Sequence, residues 1–443
     1  MSRVTYSVVI TAALTLAFSA FAAAASNELP RRGFLGAALG PEESERGVKV
    51  MEVFPETSAC YAGIEAGDVL QKIGSVQLLG PDAVKHAVAS LGAQKAGEAL
   101  LLTVTKGTYT SHMTIELSEY PRESHADFET IYDAVDVNGA LHRAIITKPA
   151  GDGPFPTVYY IQGLGCSSVE APNNPDHPTR QLLNGFTKDG YVTFRMEKRG
   201  VGDSEGAPCS ELDFTTERAG YASGLAHLKT LSYVNADKVF LFGHSMGGVF
   251  APLLAADDPV AGVIVYGTIA APLHEYFEVN EARQMRLRGL GEENVEKSLE
   301  LVREFNNQLL TARETPGEIM EANPRFRAFV NIRDGDQTHL YGRHYSFWHQ
   351  LDDLSLPSPW DNVNVPVLAV WGQSDVPATR DDHPALVAIV NENHPGTATY
   401  LELPNIGHGF DTAATMKESL DNHSNGPFNE VIVTDTLAWM NAR

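Results

Sequence analysis

The stretch Gly243-His244-Ser245-Met246-Gly247-Gly248 follows an apolar run, Val239-Phe240-Leu241-Phe242, and precedes a helix-compatible segment at 249–256. A buried strand that turns sharply into a helix needs small residues on both sides of the turn, and glycines supply them here. The amides at the start of the following helix can stabilise negative charge. We therefore predict a strand, turn and helix that expose the Ser245 hydroxyl as a nucleophile.

A second Gly-x-Ser-x-Gly pattern, at 202–206, lacks this context. Five residues separate it from the strand-like segment before it, and Ala207-Pro208-Cys209 offers no helix after it. We interpret Ser204 as a structural residue in a loop.

A serine hydroxyl is activated when a base takes its proton and a third group orients that base. Asp375 follows a buried-strand run at 365–371, and His408 stands between two glycines after a strand-like run at 399–403. The order serine, acid, histidine is one that such sites use. We predict Asp375 as the orienting acid and His408 as the general base.

Asp381 and Asp382 are close enough in sequence to Asp375 to be alternatives for the orienting acid. Both lie where a helix is expected to begin, and aspartates there are ordinary caps. Asp375 is therefore preferred.

Backbone N–H groups must also stabilise the oxyanion that forms on the attacked carbonyl. One is predicted at Met246, next to the nucleophile. The other is expected in Gln162-Gly163-Leu164-Gly165, which follows the strand-like run at 157–161, with Leu164 as the donor. Glycines on either side of Leu164 allow the backbone to approach closely.

From 127 to 443 the chain resembles an α/β hydrolase of the serine esterase and aminopeptidase type. The resemblance rests on the motif around Ser245, on the loop Arg199-Gly200-Val201-Gly202-Asp203-Ser204-Glu205-Gly206, on Asp375 and on His408. It implies an α/β-hydrolase fold, with a mostly parallel central sheet, flanking helices and a helical cap. Many relatives have His-Gly where this chain has Gln162-Gly163, a change that leaves backbone donation possible.

Residues 30–120 resemble a small α+β PDZ domain of the bacterial type. The segment contains strand-like runs around a helical stretch at 81–91, and Gly33-Phe34-Leu35-Gly36 stands in the place of the family's carboxylate-binding loop. The resemblance implies that Phe34, Leu35 and Gly36 could bind a peptide or protein C-terminus by backbone amides, beside an added strand. Val84, Ala87 and Val88 are candidates for an apolar pocket. The domain could equally pack on the hydrolase or mediate dimerisation.

A helical insertion is expected at about 271–360, between two strands of the hydrolase. Inserted helices of this kind cover active sites and select substrates. Phe347, Trp348 and Trp360 are candidates to line the substrate pocket, although packing between cap and core is the preferred explanation for each of them.

Composition narrows the classes of partner. The chain has 443 residues and 43% hydrophobic content. Its net charge of -23 disfavours nucleic acid and anionic lipid as partners, because neither would be attracted to an acidic surface. Arg3 precedes an alanine-rich apolar run that ends in Ala23-Ala24-Ala25, so residues 1–25 are predicted to be a cleavable signal peptide. We expect a periplasmic or secreted protein with no stable membrane insertion after cleavage.

Export would place the three cysteines in an oxidising compartment. Cys166 and Cys209 follow loops at the carboxyl ends of neighbouring strands, so a disulfide between them is one expectation in an oxidising compartment. Sequence does not fix the pairing. Cys60 would then be a buried free thiol.

We predict no metal and no cofactor. His339, His344 and His349 recur at five-residue steps, which would rotate around a helix rather than follow one face, and the spacing matches no familiar ligand set.

Together these features predict an exported serine hydrolase that cleaves small-molecule carboxylic esters through an acyl-enzyme. Two alternatives stay open. One is a peptidase or amidase whose PDZ-like domain recruits peptides. The other is a peptide-binding protein in which the hydrolase fold is a non-catalytic scaffold.

Overall fold

The computed structural model describes residues 29–42 and 46–443. The predicted signal peptide lies outside the described residues. Two separate sheets divide the described chain into an N-terminal unit and a larger second unit. Within the described residues, no helix is both long and apolar enough to cross a lipid bilayer.

The N-terminal unit is a small sheet packed on one helix. Its main sheet has the order β2-β3-β4-β6-β7, with β5 on β4, and β1 pairs separately with β8. The strands are β1 (Gly33–Phe34), β2 (Ala37–Pro41), β3 (Val48–Val53), β4 (Val69–Ile73), β5 (Val76–Gln77), β6 (Ala99–Lys106), β7 (Tyr109–Glu116) and β8 (Ser118–Glu119). The helices are α1 (Ser58–Tyr61) and α2 (Ala83–Gly92).

The second unit is built on an eight-stranded sheet with the order β18-β17-β14-β13-β11-β12-β10-β9. Strands β9 and β10 run antiparallel at one edge and the other six are parallel. The strands are β9 (Glu129–Val137), β10 (Ala140–Lys148), β11 (Phe155–Ile161), β12 (Val192–Met196), β13 (Val234–His244), β14 (Gly262–Tyr266), β17 (Val367–Gly372) and β18 (Ala398–Leu403). A short hairpin of β15 (His339–Leu340) and β16 (Arg343–His344) lies outside this sheet.

Helices cover both faces of this sheet, and its central strands are apolar throughout because neither face meets water. Residues Val239 to Phe242 of β13 are all at most 1% exposed. The helices outside the insertion are α3 (Pro178–Lys188), α4 (Phe214–Leu228), α5 (Gly247–Asp257), α11 (Asp382–Asn393), α12 (Met416–Asp421) and α13 (Val431–Asn441).

The insertion between β14 and β17 is mostly helical. It contains α6 (Leu273–Leu287), α7 (Glu292–Asn306), α8 (Pro316–Ala322), α9 (Phe326–Asn331) and α10 (Tyr345–Asp353). Helix α7 buries Val295, Leu299 and Val302 at three- and four-residue steps, and it exposes acidic residues in its first turn. Helix α7 is therefore held in the insertion by one apolar stripe, as amphipathic helices usually are.

A buried charge network joins the segment before β1 to the second unit. Arg31 lies 2.7 Å from Glu170 and also pairs with Asp203, and Arg143 on β10 lies 3.0 Å from Asp203. These side chains are nearly inaccessible to water. Buried charges are tolerated only when they are paired in this way, so the network fixes how the chain enters the second unit.

Candidate active site

The turn at Ser245 is tight because of its two flanking glycines. Strand β13 ends at His244, α5 begins at Gly247, and Ser245 between them has a φ of 55°. A Cβ on Gly243 would lie 2.6 Å from the Gly247 carbonyl oxygen, and one on Gly247 would lie 2.1 Å from the Ile161 carbonyl oxygen. Only glycine fits at either position, and the left-handed backbone at Ser245 is strain of the kind found at functional turns.

Asp375 and His408 meet at the carboxyl edge of the sheet. Asp375 Oδ2 accepts a hydrogen bond from His408 Nδ1 at 2.9 Å, and its Oδ1 accepts one from the Ala378 amide at 2.8 Å. Burial by itself would raise the pKa of Asp375, but the charge of His408 and these hydrogen bonds hold it below the ordinary value. Asp375 is therefore a buried anion that can orient an imidazole.

A glycine makes room for this pair. Gly267, just after β14, has a φ of +60°, and a Cβ there would lie 2.5 Å from Asp375 Oδ2 and 2.9 Å from His408 Nδ1. The neighbouring Ser245 amide donates to the Tyr266 carbonyl at 2.9 Å. The turn after β14 thus supports both Ser245 and the pair beside it.

Three side chains that the sequence did not reveal hold the loops of this site. His244 Nε2 lies 2.8 Å from the His408 carbonyl oxygen, and the Tyr266 hydroxyl donates to the Gly407 carbonyl at 2.7 Å. Arg283 on α6 donates to the Asp375 carbonyl at 3.0 Å. Burial lowers the pKa of His244 to about 3, so this ring is neutral and acts as a brace. His244 lies inside the motif, but nothing in the sequence signals its partner.

The two predicted oxyanion donors lie on opposite sides of Ser245 in sequence and line one cavity with it. Met246 is the N-cap residue of α5, where backbone amides have no partner within the helix. Leu164 lies in the loop after β11, and a Cβ on the adjacent Gly163 would lie 3.0 Å from Ser245 Cβ. The backbone of this loop is thus in contact with the serine.

The cavity has a volume of about 980 Å³ and lies between sheet edge and insertion. Ser245 and His408 line it together with apolar side chains from the insertion, among them Leu273, Phe277 and Trp348. Of the other two candidate lining residues, Phe347 is fully buried and packs on Phe214 with ring centroids 5.6 Å apart, and Trp360 is 1% exposed in the core. Trp348 alone of the three lines the cavity, because the rings of its neighbours point into the packing between insertion and core.

The profile of the alpha/beta hydrolase fold family matches residues 156–410, more than half of the chain. The chain belongs to the α/β-hydrolase family. The predicted α/β-hydrolase fold is therefore confirmed.

Individual relatives of this α/β hydrolase are distant. Esterase EstD of Thermotoga maritima is 23% identical over 267 residues, which cover 60% of this chain and 57% of that protein. Quorum-quenching protein AidA of Acinetobacter baumannii is 24% identical over 160 residues, which cover 35% of this chain and 49% of that protein. The chain thus spans about half the length of these curated relatives.

Solved structures with a similar fold include Est1E from Butyrivibrio proteoclasticus. It is 15% identical, with a TM-score of 0.43, and the match covers 71% of this chain and 99% of Est1E.

Cys166 of this α/β hydrolase lies between Gly165 and Ser167, two residues that line the cavity. Cys166 and Cys209 form a disulfide with Cα atoms 5.7 Å apart. The expectation of a buried Cys60 is wrong: the thiol is free and exposed. Cys60 lies on the one-turn helix α1, where its neighbour Ala59 faces the core and Cys60 itself faces solvent.

The three regularly spaced histidines were expected on one helix, but they do not share one. His339 and His344 are opposite each other across the β15–β16 hairpin, and His349 lies on α10. His339 is bonded to Asp336 and to Glu211. Among the described residues, no group of three potential metal ligands converges.

The predicted peptide-binding residues lie at the start of the N-terminal unit. Phe34 is in β1 against β8, Leu35 is 3% exposed, and Gly36 has a φ of +81° with Thr57 packed against it. On α2, Ala87 is fully buried in the core of the unit, whereas Val88 is 60% exposed. The helix therefore turns Ala87 away from any surface pocket, because positions one residue apart face different directions.

Proposed function

We propose that this α/β hydrolase is an exported serine hydrolase that cleaves small-molecule carboxylic esters. The observation that carries the proposal is the 2.9 Å hydrogen bond between His408 and the buried Asp375, beside a serine held on a strained turn in the same cavity. A nucleophile, a base and a group that orients the base are the three parts that acyl transfer requires.

In this proposal Ser245 Oγ attacks the acyl carbon while His408 Nε2 takes its proton. Asp375 holds the imidazole with Nδ1 protonated and stabilises the positive charge that forms on it. The amides of Met246 and Leu164 bind the oxyanion. His408 then gives the proton to the leaving alkoxide, which departs as the alcohol. In the second half His408 takes a proton from a water that attacks the acyl-enzyme, and gives that proton to Ser245 Oγ as the carboxylic acid leaves.

Ester substrates are favoured by similarity and by the cavity. The relative EstD is named an esterase, and the cavity exposes mostly apolar surface and has a volume suited to a small molecule. No charged recognition site beside Ser245 is needed for this class of substrate.

The test compares a short-chain p-nitrophenyl ester with an aminoacyl-anilide, each with the wild-type protein and with Ser245→Ala. We expect ester turnover that disappears in Ser245→Ala, and no anilide turnover. Ser204→Ala is the matched control, because this serine has the same Gly-x-Ser-x-Gly setting and lies in the loop after β12. Ester turnover that survives in Ser245→Ala would remove the proposed nucleophile.

Export is the second part of the proposal. It is supported by the apolar run that follows Arg3 and by the Cys166–Cys209 disulfide, since such bonds persist in oxidising compartments. N-terminal sequencing of the mature protein from the extracellular or periplasmic fraction checks it. A chain that still begins at residue 1 would contradict cleavage.

A peptidase or amidase that uses the N-terminal unit as a PDZ-like peptide-binding domain is the second candidate. One contact favours it: Lys85 on α2 lies 3.6 Å from Asp334, two residues after Ile332, which lines the cavity. The helix of the N-terminal unit is thus beside the cavity entrance. If peptides dock there, Val88→Glu should raise the KM for a peptide substrate and leave p-nitrophenyl ester turnover unchanged. Unchanged peptide kinetics would argue against recruitment.

A further inference from the structure

Lys198 is a buried cation behind the loop that carries Leu164. It follows β12 directly, is 3% exposed, and donates from Nζ to the carbonyl oxygens of Gly163 at 2.6 Å, Gly165 at 3.0 Å and Leu164 at 3.3 Å. Three successive carbonyls thus converge on one ammonium group. A lysine ammonium offers three donors and no acceptor, which suits such a cluster.

The charge of Lys198 is balanced from two other elements. Glu217 on α4 lies 2.9 Å from Lys198 Nζ, and Arg343 on β16 pairs with the same carboxylate. Arg343 also donates to the Leu164 carbonyl at 2.9 Å. All three side chains are at most 2% exposed, so the carboxylate neutralises part of a charge cluster that water cannot reach.

The direction of these carbonyls determines where the amides point. A trans peptide unit is planar, and its C=O and N–H point in opposite directions. The Gly163 carbonyl and the Leu164 N–H belong to one such unit, so a carbonyl bound to Lys198 directs that N–H away from Lys198. A Cβ on Gly163 would lie 3.5 Å from Ser245 Oγ.

We propose that Lys198 is a positioning residue that, by binding the carbonyls of residues 163–165, holds the Leu164 amide in the oxyanion-binding orientation, with Glu217 holding Lys198 and Arg343 holding Glu217. This inference rests on the proposed serine hydrolase function. It adds to that function a residue that touches neither substrate nor Ser245.

Kinetics separate such a role from a merely structural one. In Lys198→Met the loop keeps its own sequence but loses the ammonium group that binds its carbonyls. We therefore expect kcat to fall about 100-fold, the loss typical of one oxyanion donor, and KM to stay within twofold. A trifluoromethyl ketone that adds to Ser245 places an oxyanion in the same position. Its affinity should fall by the same factor as kcat/KM.

Arg143→Met is the matched control. Arg143 on β10 is also a buried cation, but its side-chain hydrogen bonds go to Asp203 and to the carbonyls of Leu29 and Asp133. It should lower the stability of the protein and leave kcat and ketone affinity within twofold. Equal kinetic losses in the two variants would overturn the proposal, because they would reflect general destabilisation.

A milder variant, Glu217→Gln, covers the case in which Lys198→Met fails to fold. Burial lowers the pKa of Lys198 to about 8, and the Glu217 charge opposes that shift. The titratable and charged groups around Lys198 are Glu217 and Tyr221 from α4, Arg343 from β16, His142 from β10, and its chain neighbours Glu197 and Arg199. Removing the Glu217 charge should lower the pKa of Lys198, so the alkaline decline of kcat should begin at a lower pH than in the wild type. An unchanged alkaline decline would overturn the proposal.

Failure of this inference is distinguishable from failure of the proposed function. Wild-type ester turnover that depends on Ser245, with unaltered kinetics and ketone affinity in Lys198→Met, overturns the role of Lys198 alone. Turnover that persists in Ser245→Ala overturns both.

Discussion

The turn around Ser245 and the loop around Leu164 flank the same cavity, yet they are shaped by different means. The turn is set by its own glycines: a Cβ on Gly243 would meet the Gly247 carbonyl four positions along the chain, and a Cβ on Gly247 would meet the Ile161 carbonyl of the neighbouring strand β11. The loop is held from outside by Lys198 and Arg343, which lie 35 and 179 positions from their carbonyl partners. One half of the site therefore depends on small residues in the turn itself, and the other half depends on long side chains that reach the loop from distant segments.

This difference explains how the two halves should respond to substitution. A local turn fails when its own residues change, because the clash is with backbone that cannot move aside. A loop that is held by distant side chains tolerates changes in its own residues but depends on its supports. The following predictions test this contrast.

The largest effect is expected for Gly247→Ala. Its Cβ would lie 2.1 Å from the Ile161 carbonyl oxygen, so the strand that leads into the loop must shift. We expect undetectable ester turnover and a free energy of unfolding lowered by about 3 kcal/mol or more, measured by urea denaturation. Gly165→Ala is the control in the other half: no atom lies within 4 Å of the added Cβ, so its stability should change by less than about 0.5 kcal/mol. A well-folded, active Gly247→Ala protein would contradict the contrast.

An intermediate effect is expected when the Cys166–Cys209 disulfide is removed by Cys166→Ser. The bond closes a loop of 43 residues and anchors the chain just after Gly165, so the free energy of unfolding should fall by about 2–4 kcal/mol. Turnover at 25 °C should fall only several-fold, because Lys198 still holds the loop. Cys60→Ser, which removes an exposed free thiol, should change neither quantity. Equal unfolding curves for Cys166→Ser and the wild type would show that the disulfide contributes nothing.

The smallest effect is expected for Glu197→Gln, whose hydrogen-bond partners lie at the far end of the loop that carries Leu164. Glu197 accepts hydrogen bonds from the Ser168 hydroxyl and from the Val169 amide at 3.1 Å, and burial raises its pKa from 4.5 to about 7. The folded state therefore binds more protons than the unfolded state between these values. Its contribution to stability is complete below pH 4.5 and is lost as the pH rises through about 7.

Glutamine stays neutral throughout, so Glu197→Gln should gain stability relative to the wild type between pH 5 and pH 8, by on the order of 1–3 kcal/mol. Urea denaturation at the two pH values measures the gain. Glu300→Gln, on the exposed side of α7, should show no such gain. A wild-type-minus-variant difference that does not change with pH would contradict the buried, proton-binding state of Glu197.

The α/β-hydrolase part of the predicted fold rested on local patterns, and the family match confirms it. The apolar run at 239–242 is part of β13, the helix-compatible segment at 249–256 lies within α5, and the insertion expected at 271–360 is the helical segment between β14 and β17. The disposition of side chains within elements was harder to predict. Cys60 and Ala87 were each assigned an environment that the structure does not give them, because periodicity does not say which face of a short helix meets a neighbour.

Sequence by itself determined the order of the elements and the turn at Ser245, because apolar runs and glycine spacing are patterns within a few residues. The sequence also pointed to Asp375 and His408, whose Oδ2 and Nδ1 atoms lie 2.9 Å apart in the structure. Their catalytic roles stay a prediction. Only the tertiary structure decided that Lys198 faces the carbonyls of residues 163–165, that Arg343 reaches the Leu164 carbonyl from the insertion, and that His244 braces His408. These contacts join segments up to 179 positions apart, and a charged side chain has no local pattern that names its partner before the chain has folded.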